Sequence, residues 1–163
     1  MRYAVLYTSQ TGNTRALAER IFHARPGEYA DLCDIADLMQ IPRADCYFIG
    51  FPVHNHSCDR EIRLLLSQLH DAQIAVFASC GLEPTQYYKS QIERIMLDWL
   101  PGSCRYRGMF LCQGKTTELY RTKVLQLIHR DAEQIKAVFN TGISHPDRSD
   151  LMSASAFVTS VVR

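Results

Sequence analysis

The stretch of sequence that most constrains the fold is Tyr7-Thr8-Ser9-Gln10-Thr11-Gly12-Asn13-Thr14. It follows a short apolar run at residues 3–7, which predicts a buried strand, and it precedes a helical pattern. The first N–H groups of a helix lack backbone partners and the helix dipole favours an anion, so a helix that starts here offers a phosphate site. Ser9, Thr11 and Thr14 can add hydroxyl donors, and the glycine permits a positive φ. The stretch therefore predicts a phosphate pocket, with a well-capped turn that binds nothing as the alternative.

The predicted pocket contains no Lys or Arg between Ser9 and Thr14. Backbone dipoles and neutral hydroxyls would therefore neutralise the phosphate, which suits a monophosphate better than a nucleoside triphosphate with its metal ion. A later stretch, Gly114-Lys115-Thr116, ends like a Walker A loop. The first glycine of such a loop would have to stand at position 109, which is Met109, so we exclude a nucleoside triphosphatase.

The composition of the chain narrows the class of protein. With 163 residues, 47% of them hydrophobic, and a net charge of +1, we expect one domain spanning 1–163. The balanced charge gives no broad basic surface for nucleic acid. The first residues predict a strand rather than a signal peptide, and no apolar run approaches the length that crosses a bilayer. We therefore expect a cytoplasmic protein that binds neither nucleic acid nor membrane, with its six cysteines as free thiols.

Five apolar runs alternate with helical patterns along the chain. They predict strands at residues 3–7, 29–35, 46–50, 74–78 and 106–111. Connections of this length imply a parallel sheet with helices on both faces. The predicted fold class is α/β, a doubly wound five-stranded sheet in the order 2-1-3-4-5, with a ligand at the carboxyl ends near the switch between strands 1 and 3.

An extended helical segment follows the fifth predicted strand, at about residues 116–145. Its apolar positions predict one long helix at roughly 118–139. The segment is longer than a simple connection requires. Two interpretations stay open: additional cover for the core over the fifth strand, or a lid or docking face beside the ligand.

The loops after strands 1, 3 and 4 meet at one edge of such a sheet. They span residues 8–14, 51–57 and 79–88. A flat heteroaromatic ligand that carries a phosphate would need two walls beside the phosphate pocket. Aromatic, histidine and leucine side chains could form them: Phe51, His54 and His56 on one side, and Leu82, Tyr87 and Tyr88 on the other. We expect Trp99, the only tryptophan, in the core because it has helical spacing from other apolar residues.

The pattern Ser9-x-Thr11-Gly12-x-Thr14 after an N-terminal strand resembles the FMN phosphate loop of flavodoxins, and the whole chain is similar to a short branch of the flavodoxin-like family. The stretches that carry the resemblance are Ser9-Gln10-Thr11-Gly12-Asn13-Thr14, Gly50-Phe51, Cys80-Gly81-x-Glu83-Pro84, Phe110-Leu111-Cys112-Gln113-Gly114-Lys115 and Ser144-His145-Pro146-Asp147. The resemblance implies non-covalently bound FMN and contacts to it from three loops. By motif or by position these contacts are Ser9, Gln10, Thr11, Gly12, Asn13, Thr14, Phe51, Pro52, Val53, His54, Ser79, Cys80 and Gly81.

The resemblance also implies a function, electron transfer from a reductase to a dedicated partner enzyme through FMN. For some members of the branch it points to reductases of tetrapyrrole pigments as partners, although no residue here selects that substrate. Flavodoxins are usually strongly acidic and carry a glycine in the loop after strand 3, whereas this chain is nearly neutral and has no glycine at 51–58. These departures favour one dedicated partner and behaviour closer to two-electron transfer. Two alternatives stay open: an FMN-dependent NAD(P)H oxidoreductase acting on a quinone-like acceptor, and a flavin-free binding module.

Two other patterns could carry chemistry. In an extended loop, His54, His56 and Cys58 would face the same way and could bind a soft divalent metal, but no fourth ligand has a fixed spacing. Cys80 could be a nucleophile if a following helix N-terminus stabilised its thiolate. No histidine is linked to Cys80 in sequence, so a buried thiol is the preferred interpretation. We expect no metal site and assign no catalytic residue.

Overall fold

The computed structural model describes residues 1–27, 30–128 and 130–163. A sheet of five parallel strands lies at its centre, in the order β2-β1-β3-β4-β5. The strands are β1 Tyr3–Tyr7, β2 Ala30–Asp34, β3 Cys46–Pro52, β4 Gln73–Cys80 and β5 Arg105–Gln113. The predicted α/β fold class and strand order are therefore confirmed. Tyr29, the predicted first residue of the second strand, lies outside the described residues.

The described residues form six α-helices and one short 3₁₀ helix. The helices are α1 Asn13–Ala24, α2 Arg60–Gln68, α3 Gln86–Leu97, α4 Glu118–Leu127, α5 Ala132–Gly142 and α6 Arg148–Val161, and the 3₁₀ helix is Ile35–Asp37. In the part of the chain that the structure describes, no helix combines the length and the apolar character needed to span a membrane.

Each face of the sheet carries its own hydrophobic core. Along β1, Val5 packs with residues of α1 and α6, whereas its neighbour Leu6 packs with residues of α2 and α3. Successive side chains of a strand point to opposite faces, so an unbroken apolar strand can supply both cores. All five residues of β1 are buried, while β2 at the sheet edge is only partly buried. The site described below is built on the carboxyl ends of the buried strands.

The predicted long helix at 118–139 is wrong, because the chain forms two helices there. Asp131 precedes α5 with a left-handed φ of 62°, and such a residue interrupts a right-handed helix. None of the residues of α4 is buried, whereas α5 buries Phe139 and Gly142. The buried side chain of Gln113 also donates from Nε2 to the Val138 carbonyl oxygen at 2.8 Å. Helix α5 is therefore anchored to β5, and α4 is attached only lightly.

The ends of two strands and the position of the tryptophan also differ from the predictions. Strands β3 and β4 run on to Pro52 and Cys80, so residues expected in loops belong to the sheet. Trp99 is 42% exposed, with the Arg63 guanidinium carbon 5.3 Å from its ring centroid, and is not a core residue. Helix α3 ends at Leu97, so helical spacing does not extend to Trp99.

Candidate functional site

The loop between β1 and α1 has the geometry that its sequence predicts. Gly12 occupies the N-cap of α1 with a φ of 86°, which a residue with a side chain adopts only at a cost. The Ser9 hydroxyl oxygen accepts a hydrogen bond from the Arg15 backbone N–H at 3.2 Å. Asn13 and Thr14, the first two residues of the helix, are buried. The loop therefore presents the start of α1, with its unpaired N–H groups and positive dipole end, to one point at the sheet edge.

Thr14 is held by a contact that its sequence does not reveal. Its hydroxyl lies 2.9 Å from the hydroxyl of Ser79, at the end of β4, and both residues are buried. One of the two hydroxyls donates and the other accepts. This contact joins the first loop to the fourth strand, and when Ser79 is the donor the Thr14 hydroxyl hydrogen remains available to a ligand.

Asn13 joins the same loop to the fifth strand. Its Nδ2 donates to the Lys115 carbonyl oxygen at 2.8 Å, while its Oδ1 is buried without a partner among the described residues. A Cβ added to Gly114 would overlap the Asn13 amide group, so glycine is required at that close approach. A buried acceptor without a partner is unusual in proteins, and Asn13 is one of the residues that line the cavity described next.

A cavity of about 100 Å³ lies where these elements meet. Four segments line it, one after each of β1, β3, β4 and β5. The lining residues are Gln10, Thr11, Asn13, Pro52, Val53, His54, Ser79, Cys80, Gly81, Gly114, Lys115, Thr116, Thr117 and Tyr120. The structure thus brings the three predicted loops together. Four predicted contact residues are not among those that line the cavity: Ser9, Gly12, Thr14 and Phe51.

The fourth segment, residues 114–120, was not included in the predicted site. Its sequence was considered as the end of a Walker A loop, as part of the family resemblance and, from residue 116 on, as a lid or docking face beside the ligand. The strand order alone places the carboxyl end of β5 beside that of β4, at the edge where the ligand was expected. This adjacency could have predicted the segment, but no residue type in it indicates a flavin site.

Of the three side chains expected in the wall after β3, His54 lines the cavity, whereas Phe51 and His56 do not. Phe51 is completely buried in the core, so its side chain does not form a wall of the cavity. His54 does line the cavity, and its Nδ1 lies 2.9 Å from an Asp59 carboxylate oxygen. Backbone hydrogen bonds of 2.9 Å in both directions join His54 to Ser57 and close a tight turn. The His54 ring is therefore oriented by both its side chain and its backbone.

The turn at 54–57 excludes the extended geometry on which the metal interpretation depended. Asn55 and His56 both have positive φ, 49° and 59°, so alternate side chains do not face one way. His56 packs edge-on against Tyr88 with ring centroids 5.3 Å apart, and Cys58 is buried. Among the described residues, a cluster spaced to hold a metal ion occurs instead at His145, Asp147 and Asp150.

That second cluster has a structural explanation. Asp147 and Asp150 form a reciprocal capping box at the start of α6, and His145 Nδ1 lies 2.5 Å from an Asp150 carboxylate oxygen. The backbone N–H of Lys115 in turn donates to the His145 carbonyl oxygen at 3.1 Å. The cluster fixes the loop before α6 against the segment after β5.

The other predicted wall is also replaced. Tyr87 is 76% exposed and Tyr88 packs against His56, and neither lines the cavity. Thr116 and Tyr120 lie against Gly81 instead. A Cβ added to Gly81 would be 2.5 Å from Thr116 Cγ2 and 3.3 Å from Tyr120 Cε1. Glycine at position 81 thus allows the segment after β5 to close over the end of β4.

A hydroxyl-rich loop precedes the first helix, and the sheet has the order 2-1-3-4-5. The flavodoxin domain family matches residues 4–159. The chain belongs to this family.

Relatives and solved structures agree with this family membership. The flavodoxin-like domain-containing protein BilS of Clostridioides difficile (strain CD3) is 29% identical, over 99% of this chain and 97% of its own. The BilS protein of Clostridium symbiosum (strain WAL-14163) is 28% identical, over 99% and 96%. Oxidised flavodoxin 1 of Bacillus cereus superposes with a TM-score of 0.64 at 13% identity, over 99% and 97% of the two chains. A Lactobacillus acidophilus flavoprotein in complex with FMN gives 0.53 at 17%, over 68% and 92%.

Within this flavodoxin-like site, Cys80 is not an activated nucleophile. Burial raises the pKa of the Cys80 thiol to about 12, so it is not a thiolate at neutral pH. Its Sγ donates to the Leu82 carbonyl oxygen at 3.2 Å. Burial likewise raises the pKa of the Cys112 thiol. These buried thiols support the preferred sequence interpretation and exclude nucleophilic catalysis at Cys80 near neutral pH.

Proposed function

We propose that this protein binds FMN and transfers electrons from a reductase to a partner enzyme. The observation that carries the proposal is the convergence of the β1–α1 loop with the ends of β3 and β4 on one cavity. Such a site offers a phosphate-binding helix start beside two backbone walls, at the edge where doubly wound sheets bind ligands. The family membership and the FMN complex of the Lactobacillus acidophilus flavoprotein support the same cofactor.

The residues present fit an FMN phosphate at the start of α1. Backbone N–H groups of the loop, the Thr11 hydroxyl at the cavity and the second hydrogen of Asn13 Nδ2 supply donors there. Lys115 is exposed at the cavity and adds a positive charge. The unpaired Asn13 Oδ1 provides an acceptor for a ligand hydroxyl. This donor set suits a phosphate attached to a polyhydroxylated chain.

The flavin ring would lie toward the ends of β3 and β4. Pro52, Val53 and His54 line one side of the cavity, and the backbone of Ser79 to Gly81 lines its base. When bound, FMN would supply reversible uptake and release of electrons. The protein holds the phosphate, orients the ring and limits its contact with water.

A partner protein fits the surface beside the cavity better than a small electron acceptor does. Leu119 is 65% exposed next to the cavity residue Tyr120. Lys115 and Lys123 are exposed in the same segment. An apolar side chain among cations favours a contact surface on the partner that is apolar with acidic groups. Reductases of tetrapyrrole pigments are the first acceptors to test, on the resemblance described above.

The cofactor is tested by titrating the purified protein with FMN and with riboflavin, which lacks the phosphate. We expect one FMN per chain. Thr11→Ala should weaken FMN binding roughly 10- to 100-fold, because a hydrogen bond to a charged group is lost, and should leave riboflavin binding unchanged. Thr159→Ala, on the exposed side of α6, is the matched control. Wild-type protein that binds no FMN would contradict the proposal.

Electron transfer is tested with the FMN-loaded protein. We expect slow oxidation of NAD(P)H by the protein alone and rapid reduction when a flavodoxin reductase is added. Rapid NAD(P)H oxidation without a reductase, coupled to quinone reduction, would instead identify an FMN-dependent oxidoreductase.

A further inference from the structure

One aromatic side chain from outside the three predicted loops reaches the cavity. Among the described residues that line it, the planar ring side chains are His54 and Tyr120. The other candidates are placed elsewhere: Phe51 is in the core, and Tyr87 and Tyr88 do not line the cavity. In the sheet, β4 separates β3 from β5, so His54 and Tyr120 come from opposite sides of the Ser79–Gly81 backbone.

Tyr120 is positioned by contacts on two sides. On one side its Cε1 would lie 3.3 Å from a Cβ at Gly81, so the ring reaches the backbone at the end of β4. On the other side it meets Phe139 of the anchored helix α5 in an edge contact, with centroids 6.0 Å apart and planes at 67°. Burial and the nearby Cys80 raise the pKa of the Tyr120 phenol, which stays neutral. The ring thus offers a flat, uncharged surface beside the cavity.

The cavity is small for a flavin in the arrangement described. It measures about 100 Å³, whereas pockets for ligands of this size typically measure about 300–1,000 Å³. The ends of β1, β3 and β4 belong to the hydrophobic cores and cannot withdraw without disrupting them. Helix α4 has no buried residue and can. Outward movement of α4 would therefore provide the room that a three-ring ligand needs to be enclosed.

A second observation indicates that the closed arrangement leaves polar groups unsatisfied. Thr116 Oγ1 is buried without a hydrogen-bond partner in the described part of the chain, and so is Asn13 Oδ1 across the cavity. Buried polar atoms are rarely left unpaired. Both residues line the same cavity, so a ligand that enters it, or the movement that admits the ligand, would offer these atoms new partners.

We propose that Tyr120 forms an aromatic wall for the flavin ring and that α4 moves outward to admit it. The inference rests on the proposed function, because it needs FMN as the ligand. It assigns the ring contact to the segment after β5, which takes the place of the aromatic residues that the sequence predicted after β3 and β4. The phosphate end stays fixed while the ring end of the site opens.

The test compares the wild type with Tyr120→Leu, which keeps an apolar side chain, and Tyr120→Phe, which keeps the ring. FMN affinity and the quenching of flavin fluorescence are measured by titration. We expect Tyr120→Leu to weaken FMN binding roughly five- to tenfold and to reduce quenching, since an aromatic contact with the ring is lost. Tyr120→Phe should match the wild type in both. Tyr87→Leu, at an exposed tyrosine outside the cavity, is the control.

The movement of α4 is tested by hydrogen exchange on wild-type protein with and without FMN. Amides of α4 should exchange much faster than those of α1 in the free protein, and at least tenfold more slowly once FMN is added. Equal protection of the two helices without FMN would overturn the proposed opening.

The measurements distinguish failure of the aromatic wall from failure of the proposed function. If the wild type binds FMN but Tyr120→Leu matches it in affinity and quenching, the aromatic wall is wrong and the proposed function stands. Equal losses in Tyr120→Leu and Tyr120→Phe would also overturn it, because the hydroxyl rather than the ring would then matter. If the wild type binds no FMN, both proposals are wrong.

Discussion

The β1–α1 loop and helix α4 border the same cavity, but the protein holds them in different ways. Helix α1 buries five of its residues, including the two that begin it, and Thr14 is bonded to β4. Helix α4 buries none of its residues. The side formed by the β1–α1 loop, called the fixed side, is therefore as stable as the core. The side formed by α4, called the movable side, can open at a much lower free energy. On the proposals above, the phosphate contacts would be preformed and the ring contacts would be made on binding.

The largest effect is expected where the fixed side meets the core. The Gly50 carbonyl oxygen accepts a hydrogen bond from Thr8 N–H, and a Cβ on Gly50 would overlap the Phe77 ring. Gly50→Ala should lower the free energy of unfolding by about 3 kcal/mol, measured by urea denaturation, because the core must be overpacked. Gly102→Ala, with open space around it, is the control and should change it by less than about 0.5 kcal/mol. A small loss in Gly50→Ala would mean that the fixed side tolerates movement.

A smaller effect on stability is expected from raising the pH, and it arises from buried cysteines outside α4 and α5. Burial raises the pKa of Cys46 and of Cys80 from 9.0 to about 12, whereas α4 and α5 contain no cysteine. The unfolded chain then loses these protons at a lower pH than the folded protein. Stability is therefore fully present below pH 9 and falls as pH rises toward 12, by about 1.4 kcal/mol per thiol per pH unit.

Urea denaturation at pH 8 and pH 10 measures this fall, and Cys46→Ala should reduce it by no more than about a third, because the buried Cys80 and Cys112 thiols still contribute. An unchanged fall in Cys46→Ala would show that other groups cause the alkaline instability.

The smallest effect on stability is expected from removing a helix cap. Helices α3 and α4 each begin with a threonine that caps them in the same way, so they can be compared directly. The Thr85 hydroxyl oxygen accepts from Tyr88 N–H at 3.1 Å in α3, and that of Thr117 accepts from Tyr120 N–H at 3.2 Å in α4. Helix α3 has buried residues, whereas α4 has none. Thr85→Ala should lower the free energy of unfolding by about 1 kcal/mol, and Thr117→Ala by less than about 0.5 kcal/mol.

Urea denaturation gives both values, and hydrogen exchange should show faster opening of α4 alone in Thr117→Ala. Equal losses of global stability would contradict the comparison, because α4 would then unfold together with the sheet.

The sequence predicted the fixed side well and the movable side poorly. Strand β1 was predicted with its observed bounds, Tyr3–Tyr7, because an unbroken apolar run has one explanation in a doubly wound sheet. Gly12 was noted as a residue that permits a positive φ, and its φ is positive. These features depend on local sequence.

The rest of the site depends on where elements end and on what lies beside them. Apolar periodicity could not reveal the left-handed Asp131 that separates α4 from α5. The residues that continue β3 looked like a loop, so Phe51 was placed at the ligand instead of in the core. Tyr120 was not named as a contact, because ligand contacts were assigned only to three loops and the segment at 116–145 was left as either core cover or a lid.

The hydrogen bond from Asn13 Nδ2 to the Lys115 carbonyl oxygen joins residues 102 positions apart. During synthesis the β1–α1 loop leaves the ribosome early, but its partner Lys115 is not available until about a hundred more residues have followed. At about 5–20 residues per second this takes several seconds. This contact therefore cannot guide the early folding of the nascent chain, and it contributes only after β5 has joined the sheet.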